Sequence, residues 1–363
     1  MKILKLLKND LVLTISFILA LISSFFVLPD KEYISYINIP VLVLLACLML
    51  VVAGLKKSGV FDMLKNFLSS KISSEKVVIF YLCMICFFSS ALITNDVALI
   101  TFVPFSIAIL KNQKSSAVIF CVVMETVSAN LGSLITPIGN PQNLFLYTHF
   151  SISPLEFFSI TLPLGAVCLV MILVCLLFRK NTPLKSQNEG CSIHICKKSL
   201  ALFSFLFILC ILAVLKIISC YITLIAVLIC VYFVDKKLFY DVDYILLITF
   251  VFFFIFAGNM ARIPVIYDFI DRALNGREVL VSALISQIIS NVPAATMLAS
   301  FTADYRSLIL GTNIGGLGTI IASMASLISY RFIAQEININ KGKYMLVFTL
   351  FNLIMLIFLL LLF

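Results

Sequence analysis

The chain has 363 residues, 62% of them hydrophobic and only 12% charged, with a mean hydropathy of +1.17. So little polar material cannot cover a soluble protein of this length, and the composition defines a polytopic membrane protein instead. The net charge of +9 does not signal a nucleic-acid partner. Its Lys and Arg residues sit in short connections between apolar runs, where they set orientation in the bilayer.

In chain order, a basic N-terminus without a small-residue cleavage site leads into a long apolar run, which predicts a retained first span near 11–28. Further spans are expected near 36–55, 157–178, 200–217, 220–234, 243–261 and 344–363. Two irregular regions lie between them. In the first, apolar limbs at 77–93 and 97–110 meet at Thr94-Asn95-Asp96. Each limb is short for a crossing that needs ~20 residues, so 77–110 is expected to form a re-entrant hairpin. Its tip then lies at membrane depth, where irregular backbone must be buried in protein or line a water-filled cavity. The second region repeats the pattern over 278–304, with limbs 278–289 and 294–304 meeting at Ser290-Asn291.

After each hairpin a helix is expected to break. Gly132, Pro137, Gly139 and Pro141 interrupt 116–146, and Gly311, Gly315, Gly316 and Gly318 interrupt 307–330. Backbone groups freed in this way need partners, and an ion or a substrate is one. With the N-terminus cytoplasmic, about nine full spans and two re-entrant hairpins put 20 of the 26 basic residues on the cytoplasmic side. The expected architecture is an all-α polytopic membrane protein made of two inverted repeats. Residues 1–178 and 200–363 are the repeats, and the polar stretch 179–199 is a cytoplasmic linker.

The two breaks also resemble one another in sequence. A-N-L-G-S-L-I-T at 129–136 aligns without a gap on T-N-I-G-G-L-G-T at 312–319. Twofold polar breaks in hydrophobic segments point to a binding site between inverted repeats. The candidate site is therefore Thr94, Asn95, Asp96, Asn130, Gly132, Thr136, Asn140 and Asn143 from the first half. Ser290, Asn291, Thr312, Asn313, Gly315 and Thr319 join it from the second. Asn95, Asn130, Asn291 and Asn313 offer the oxygen ligands that Na⁺ requires. An anion would use amide donors at half-helix N-termini, where the dipole end is positive. Asp96 and Glu125 are candidate coupling carboxylates, because an intramembrane charge is functional by default. The alternatives are that Thr94-Asn95-Asp96 is capping chemistry and that the Asn residues pack helices together.

Other signals are weaker. Cys83-x-x-Cys86 resembles a redox pair and Cys191-x-x-His194-x-Cys196 half a metal site, but neither has a second half elsewhere. Asn259 and Arg262 close a long aromatic span, where Arg262 either attracts an anion or snorkels to the interface. There is no nucleotide-binding loop and no nucleophile–base or metal constellation, so neither an enzyme nor a cofactor is expected.

T-N-D-V-A-L-I-T-F-V-P-F at 94–105, N-L-G-S-L-I-T-P-I-G-N-P-Q-N at 130–143, S-N-V-P-A-A at 290–295 and G-T-N-I-G-G-L-G-T at 311–319 resemble the ion transporter superfamily. That group includes arsenite permeases, sodium/proton antiporters, citrate-transporter-like permeases and divalent anion/sodium symporters. Sodium/dicarboxylate symporters of this fold carry Ser-Asn-Thr at both hairpin tips, unlike the tips here. The Asn95-Asp96 pair is closer to the arsenite permease and antiporter branches, and 136–143 is closer to the citrate-like anion permeases. The resemblance implies a homodimer whose transport domains move as elevators. The expected function is transport of a small anionic solute across the cytoplasmic (inner) membrane, with Na⁺ or H⁺ as the coupling ion. The alternative is a sodium/proton antiporter or arsenite exporter, and an ion channel or intramembrane enzyme is the remoter expectation.

Overall fold

The structure, a computed structural model, describes residues 11–59, 74–183 and 196–363. The expectations for residues 1–10, for most of the linker, and for Cys191 and His194 fall outside these segments. Among the described residues the architecture is helical, apart from an isolated bridge between Ser74 and Pro183. The first half contains α1 (Leu11–Phe26), α2 (Glu32–Tyr36), α3 (Ile39–Lys57), α4 (Glu75–Ile93), α5 (Asn95–Ile109), α6 (Ser115–Ser133), α7 (Pro141–His149) and α8 (Pro154–Leu177). After the linker come α9 (Lys197–Val214), α10 (Cys220–Val234), a 3₁₀ turn (Lys236–Asp241), α11 (Tyr244–Ala261) and α12 (Pro264–Leu274). The chain ends in α13 (Glu278–Ile289), α14 (Asn291–Leu298), α15 (Tyr305–Ile314), α16 (Met324–Gln335) and α17 (Lys341–Leu362).

Among these, α3, α4, α6, α8, α9, α11 and α17 are long and apolar enough to cross a membrane. Their starts follow local chemistry. Asn38, Ser153 and Asn340 each accept an N–H from the first turn, and Pro40 and Pro154 sit where a helix donor is not needed.

Helix pairs meet at Thr94 (α4 and α5) and at Ser290 (α13 and α14), and the limbs of these hairpins are unequal. At 19 residues α4 spans about 28 Å, enough to cross by itself, against the expectation that both limbs would be short. The extension comes from Ser74, whose side chain caps Val77, and from Glu75, whose carboxylate is held by Arg179 at 2.7 Å and Thr182 at 2.7 Å. A charged end fixed in this way begins the helix before its apolar run. The other limbs are short: α5 has 15 residues, α13 has 12 and α14 has 8.

One packing block brings α3 against α9 and α10, and α11 against α1. Bilayer helices gain little from burying apolar surface and rely on close packing. Glycine permits that twice here. A Cβ on Gly54 would stand 2.2 Å from the Phe203 ring, and one on Gly258 would stand 2.4 Å from Tyr36. Next to this contact, Arg262 is not a free vestibule cation. It pairs with Asp30 at 2.8 Å and Glu32 at 3.3 Å and donates to the Tyr36 hydroxyl, tying the end of α11 to the α1–α2 connection. The Arg262 guanidinium beside Asp30 holds that carboxyl below the usual carboxylate range. A second block packs α4, α5 and α6 together with α16 and α17.

Candidate functional site

Each hairpin turns on one residue with the same unusual backbone. Thr94 has φ 77° and ψ 149°, and Ser290 has φ 77° and ψ 155°. A β-branched or polar residue at positive φ is uncommon and persists only when its surroundings fix it. What fixes it is the broken segment of the same half. The Asn95 N–H donates to the Gly139 carbonyl at 3.1 Å, and the Asn291 N–H donates to the Ala322 carbonyl at 2.9 Å. Three residues before each tip, the Ala91 carbonyl accepts the Thr136 hydroxyl and the Gln287 carbonyl accepts that of Thr319. The glycines match as well. A Cβ on Gly132 would meet the Phe87 carbonyl oxygen at 2.0 Å, and one on Gly315 would meet the Ser286 hydroxyl at 2.7 Å. Each Asn-Gly segment thus lies against its own hairpin in one shared register.

The breaks are α6–α7 and α15–α16, separated by residues 134–140 and 315–323. Across them the halves exchange partners. Asn130 accepts from Ser323 Oγ at 3.0 Å and donates to Ser326 Oγ at 3.3 Å. Asn313 accepts from Asn140 Nδ2 at 3.0 Å and donates to Asn143 Oδ1 at 2.6 Å. Asn140 and Asn143 stand as far beyond Asn130 in sequence as Ser323 and Ser326 stand beyond Asn313. Each Asn therefore holds the start of the other half's second half-helix. All these groups are buried, so removing one leaves partners unsatisfied at about 1–3 kcal/mol each.

The remaining candidates fall into place around this seam. Asn95 Nδ2 donates to Asn130 Oδ1 at 3.1 Å, and the Asn95 carbonyl oxygen Oδ1 accepts the Asp96 N–H. Asn143 Nδ2 also covers the carbonyls of Leu134 and Thr136, both at 3.1 Å. Thr312 donates its hydroxyl to Leu308 within its own helix and stands apart from the exchange. The side-chain oxygens of Asn95, Asn130, Asn291 and Asn313, the expected Na⁺ ligands, all accept hydrogen bonds from neighbouring protein groups.

Beside the seam lies a cavity of about 1130 Å³. Its inner wall includes Thr94, Asp96, Pro141 and Met324, so both hairpin 1 and the starts of α7 and α16 reach it. Leu45, Leu48 and Val52 of α3 form the facing wall, and Lys56, Lys57, Lys237 and Arg331 also border it. Asp96 shares this space with Asp243, the capping residue of α11.

Glu125 is not in the cavity. It is fully buried between α6 and the first hairpin, where its Oε1 accepts from Ser106 at 2.5 Å and faces Cys86 Sγ at 3.8 Å. Its Oε2 has no partner, and no ion pair reaches it among the described residues. Cys83 and Cys86 are free thiols packed in the same core. Sequence reasoning missed Ser323 and Ser326, which look like ordinary helix-start residues. The spacing they share with Asn140 and Asn143 was the available signal.

Comparison with known proteins places the chain among membrane transporters. The sequence profile described as Citrate transporter matches residues 3–307, and the chain belongs to that family. It is 34% identical over 291 residues to an uncharacterized transporter of Methanocaldococcus jannaschii, covering 78% of each chain. It is 28% identical over 313 residues to the inner membrane protein YbiR of Escherichia coli, covering 85% of this chain and 84% of that one. It is also 32% identical over 154 residues to the silicon efflux transporter LSI3 of Oryza sativa, covering 42% of this chain and 31% of that one.

Proposed function

We propose that the protein is a secondary active transporter of a small anion, a di- or tricarboxylate or an inorganic oxyanion. Na⁺ or H⁺ drives it through elevator-type alternating access. The observation that carries this reading is the reciprocal exchange of Asn130 and Asn313 with the opposite half-helix starts, set against a cavity that also holds Asp96. Half-helix N-termini are suited to an anion, because their amides and dipole carry positive potential. The coupling cation belongs at Asp96, whose carboxylate faces open space, and not at the Asn oxygens, which neighbouring groups already use.

The halves act as inverted repeats, and their shared tip geometry and register support this. The cavity is the inward-facing entrance, since Lys56, Lys57, Lys237 and Arg331 are among the basic residues assigned to the cytoplasm. The chain works as a homodimer in the cytoplasmic membrane. A second reading, an exporter or sodium/proton antiporter of the same fold, is favoured by Asp96. The relative named for silicon efflux points to the exporter.

Proteoliposomes presented with external labelled citrate, phosphate, silicate or arsenite, under imposed Na⁺ or pH gradients, separate these readings. Accumulation of an anion down one cation gradient supports the first. Gradient-driven Na⁺/H⁺ exchange without anion movement replaces it with the second.

A further inference from the structure

Both hairpins begin at a carboxylate, and only one of the two bases is paired. In the first half Glu75 opens α4, and its Oε1 accepts from Arg179 at 2.7 Å. The same guanidinium lies 5.0 Å from the centre of the Phe120 ring, so a carboxylate and an aromatic face hold it together. In the second half Glu278 opens α13. Asp271, near the end of α12, stands as far before Ser290 as Glu75 stands before Thr94. Among the described residues neither Asp271 nor Glu278 makes an ion pair. Arg272 and Arg277 neighbour them in sequence, yet neither borders the space that these carboxylates share.

That space is a cavity of about 440 Å³ between α12, the start of α13 and the connection from α14 to α15. Phe150, Tyr267 and Phe301 line it with the two acids, and the Tyr267 and Phe301 ring centres are 5.6 Å apart. The register that aligns Asn130 with Asn313 puts Ala303 where the first half has Phe120, and Ala303 also lines the cavity. A methyl group there leaves open the room that the first half fills with a ring. The lining contains no Lys or Arg and no residue of the tips or breaks. Two carboxylates beside aromatic faces suit a positive group that donates several hydrogen bonds and lies flat on a ring. A bare metal ion is poorly served, because no three His, Cys, Asp or Glu side chains converge among the described residues.

We propose that this cavity binds a small organic cation, a guanidinium or primary ammonium group, in the place that Arg179 fills in the first half. The ligand bridges Asp271 of α12 to Glu278 of α13 and steadies the base of hairpin 2 as Arg179 steadies that of hairpin 1. A free amine and the ammonium of a phosphatidylethanolamine headgroup share this chemistry. One ring contact and two charge-assisted hydrogen bonds support an affinity in about the millimolar range. The site stands whatever solute the chain transports.

The test uses the full chain in phosphatidylcholine nanodiscs, with agmatine as the probe, thermal unfolding as the readout and KCl holding ionic strength constant. About 10 mM agmatine should raise the unfolding temperature by a few degrees. Asp271→Asn and Glu278→Gln should each weaken the apparent affinity about tenfold and leave the unliganded unfolding temperature near that of the wild type. Asp271 is exposed, so its variant decides the matter if Glu278→Gln does not fold. Glu75→Gln should unfold at a lower temperature and keep the full agmatine shift. The same measurement in phosphatidylethanolamine nanodiscs separates the sources. A wild type already stabilised there over Asp271→Asn, with no further shift from agmatine, identifies the headgroup. A full shift in both lipids identifies a free amine. A wild type that responds to neither agmatine nor phosphatidylethanolamine overturns the site, and so does an agmatine shift that Asp271→Asn leaves unchanged.

Discussion

The two hairpin tips share a backbone and a docking register, yet they differ in the chemistry they present. The first ends in Thr94-Asn95-Asp96 with Ala91 behind it and faces the cavity. The second ends in Ser290-Asn291-Val292 with Gln287 behind it, whose side-chain amide donates to the Gly315 and Leu317 carbonyls of its break. The limbs differ too, with 19 and 15 residues against 12 and 8. What is common is the positive-φ tip, the close glycine and the Asn that crosses to the other half. The divergence falls on the positions that can carry charge or fill space. Framework and cargo chemistry are therefore separable in this molecule.

The largest expected effect tests the common framework. Asn130→Ala and Asn313→Ala should each lower proteoliposome uptake at least about tenfold, since each strips two or more buried partners at about 1–3 kcal/mol apiece. Equal losses would support equivalence of the halves, and wild-type uptake in either would break it. Next come the glycines. Gly132→Ala drives a Cβ to 2.0 Å from a backbone oxygen, whereas Gly315→Ala meets a serine hydroxyl at 2.7 Å and the Ala283 Cα at 2.8 Å. Overpacking costs about 1–3 kcal/mol, so Gly132→Ala should lower the unfolding temperature more. Reversal of that order would show the second half to be the tighter one.

Asp96→Asn should leave folding intact and abolish the Na⁺ or pH dependence of uptake, while Val292→Ala leaves that dependence as it is. Equal responses would erase the contrast between the tips. The smallest effect is away from both. Arg262→Ala should lower the unfolding temperature only slightly, because the pair is partly exposed and screened by solvent. The Asp30 carboxyl titrates below its ordinary value, so its pairing contributes above that range and is lost only as pH falls through the lowered value. Unfolding temperatures of this variant and the wild type should therefore run parallel between pH 6 and 8 and converge only in acid.

Much of the framework was legible because glycine, proline and asparagine inside apolar sequence have few uses. The tips at 94 and 290, the breaks near 134–140 and 315–323 and the matched places of Asn130 and Asn313 all follow from that economy. What was not legible depends on distance in the chain. Nothing local marks Ser323 and Ser326 as partners of Asn130, or Asp30 as the partner of Arg262. The α4 limb ran longer than its apolar stretch because Arg179 and Thr182 secure Glu75 from far along the sequence. The second limb of hairpin 2 stops at Leu298, short of the expected 304. The residues after it form turns that lead into the Asp304 cap of α15.

The exchanged asparagines also bear on biosynthesis. As the chain leaves the ribosome, Asn130 is made long before Ser323 and Ser326, and Asn140 and Asn143 long before Asn313. Until the last third of the polypeptide arrives, the early part holds these amides in the bilayer without the partners that the second half supplies. A gene cut within the linker should therefore yield two fragments that degrade when expressed singly and survive when expressed together.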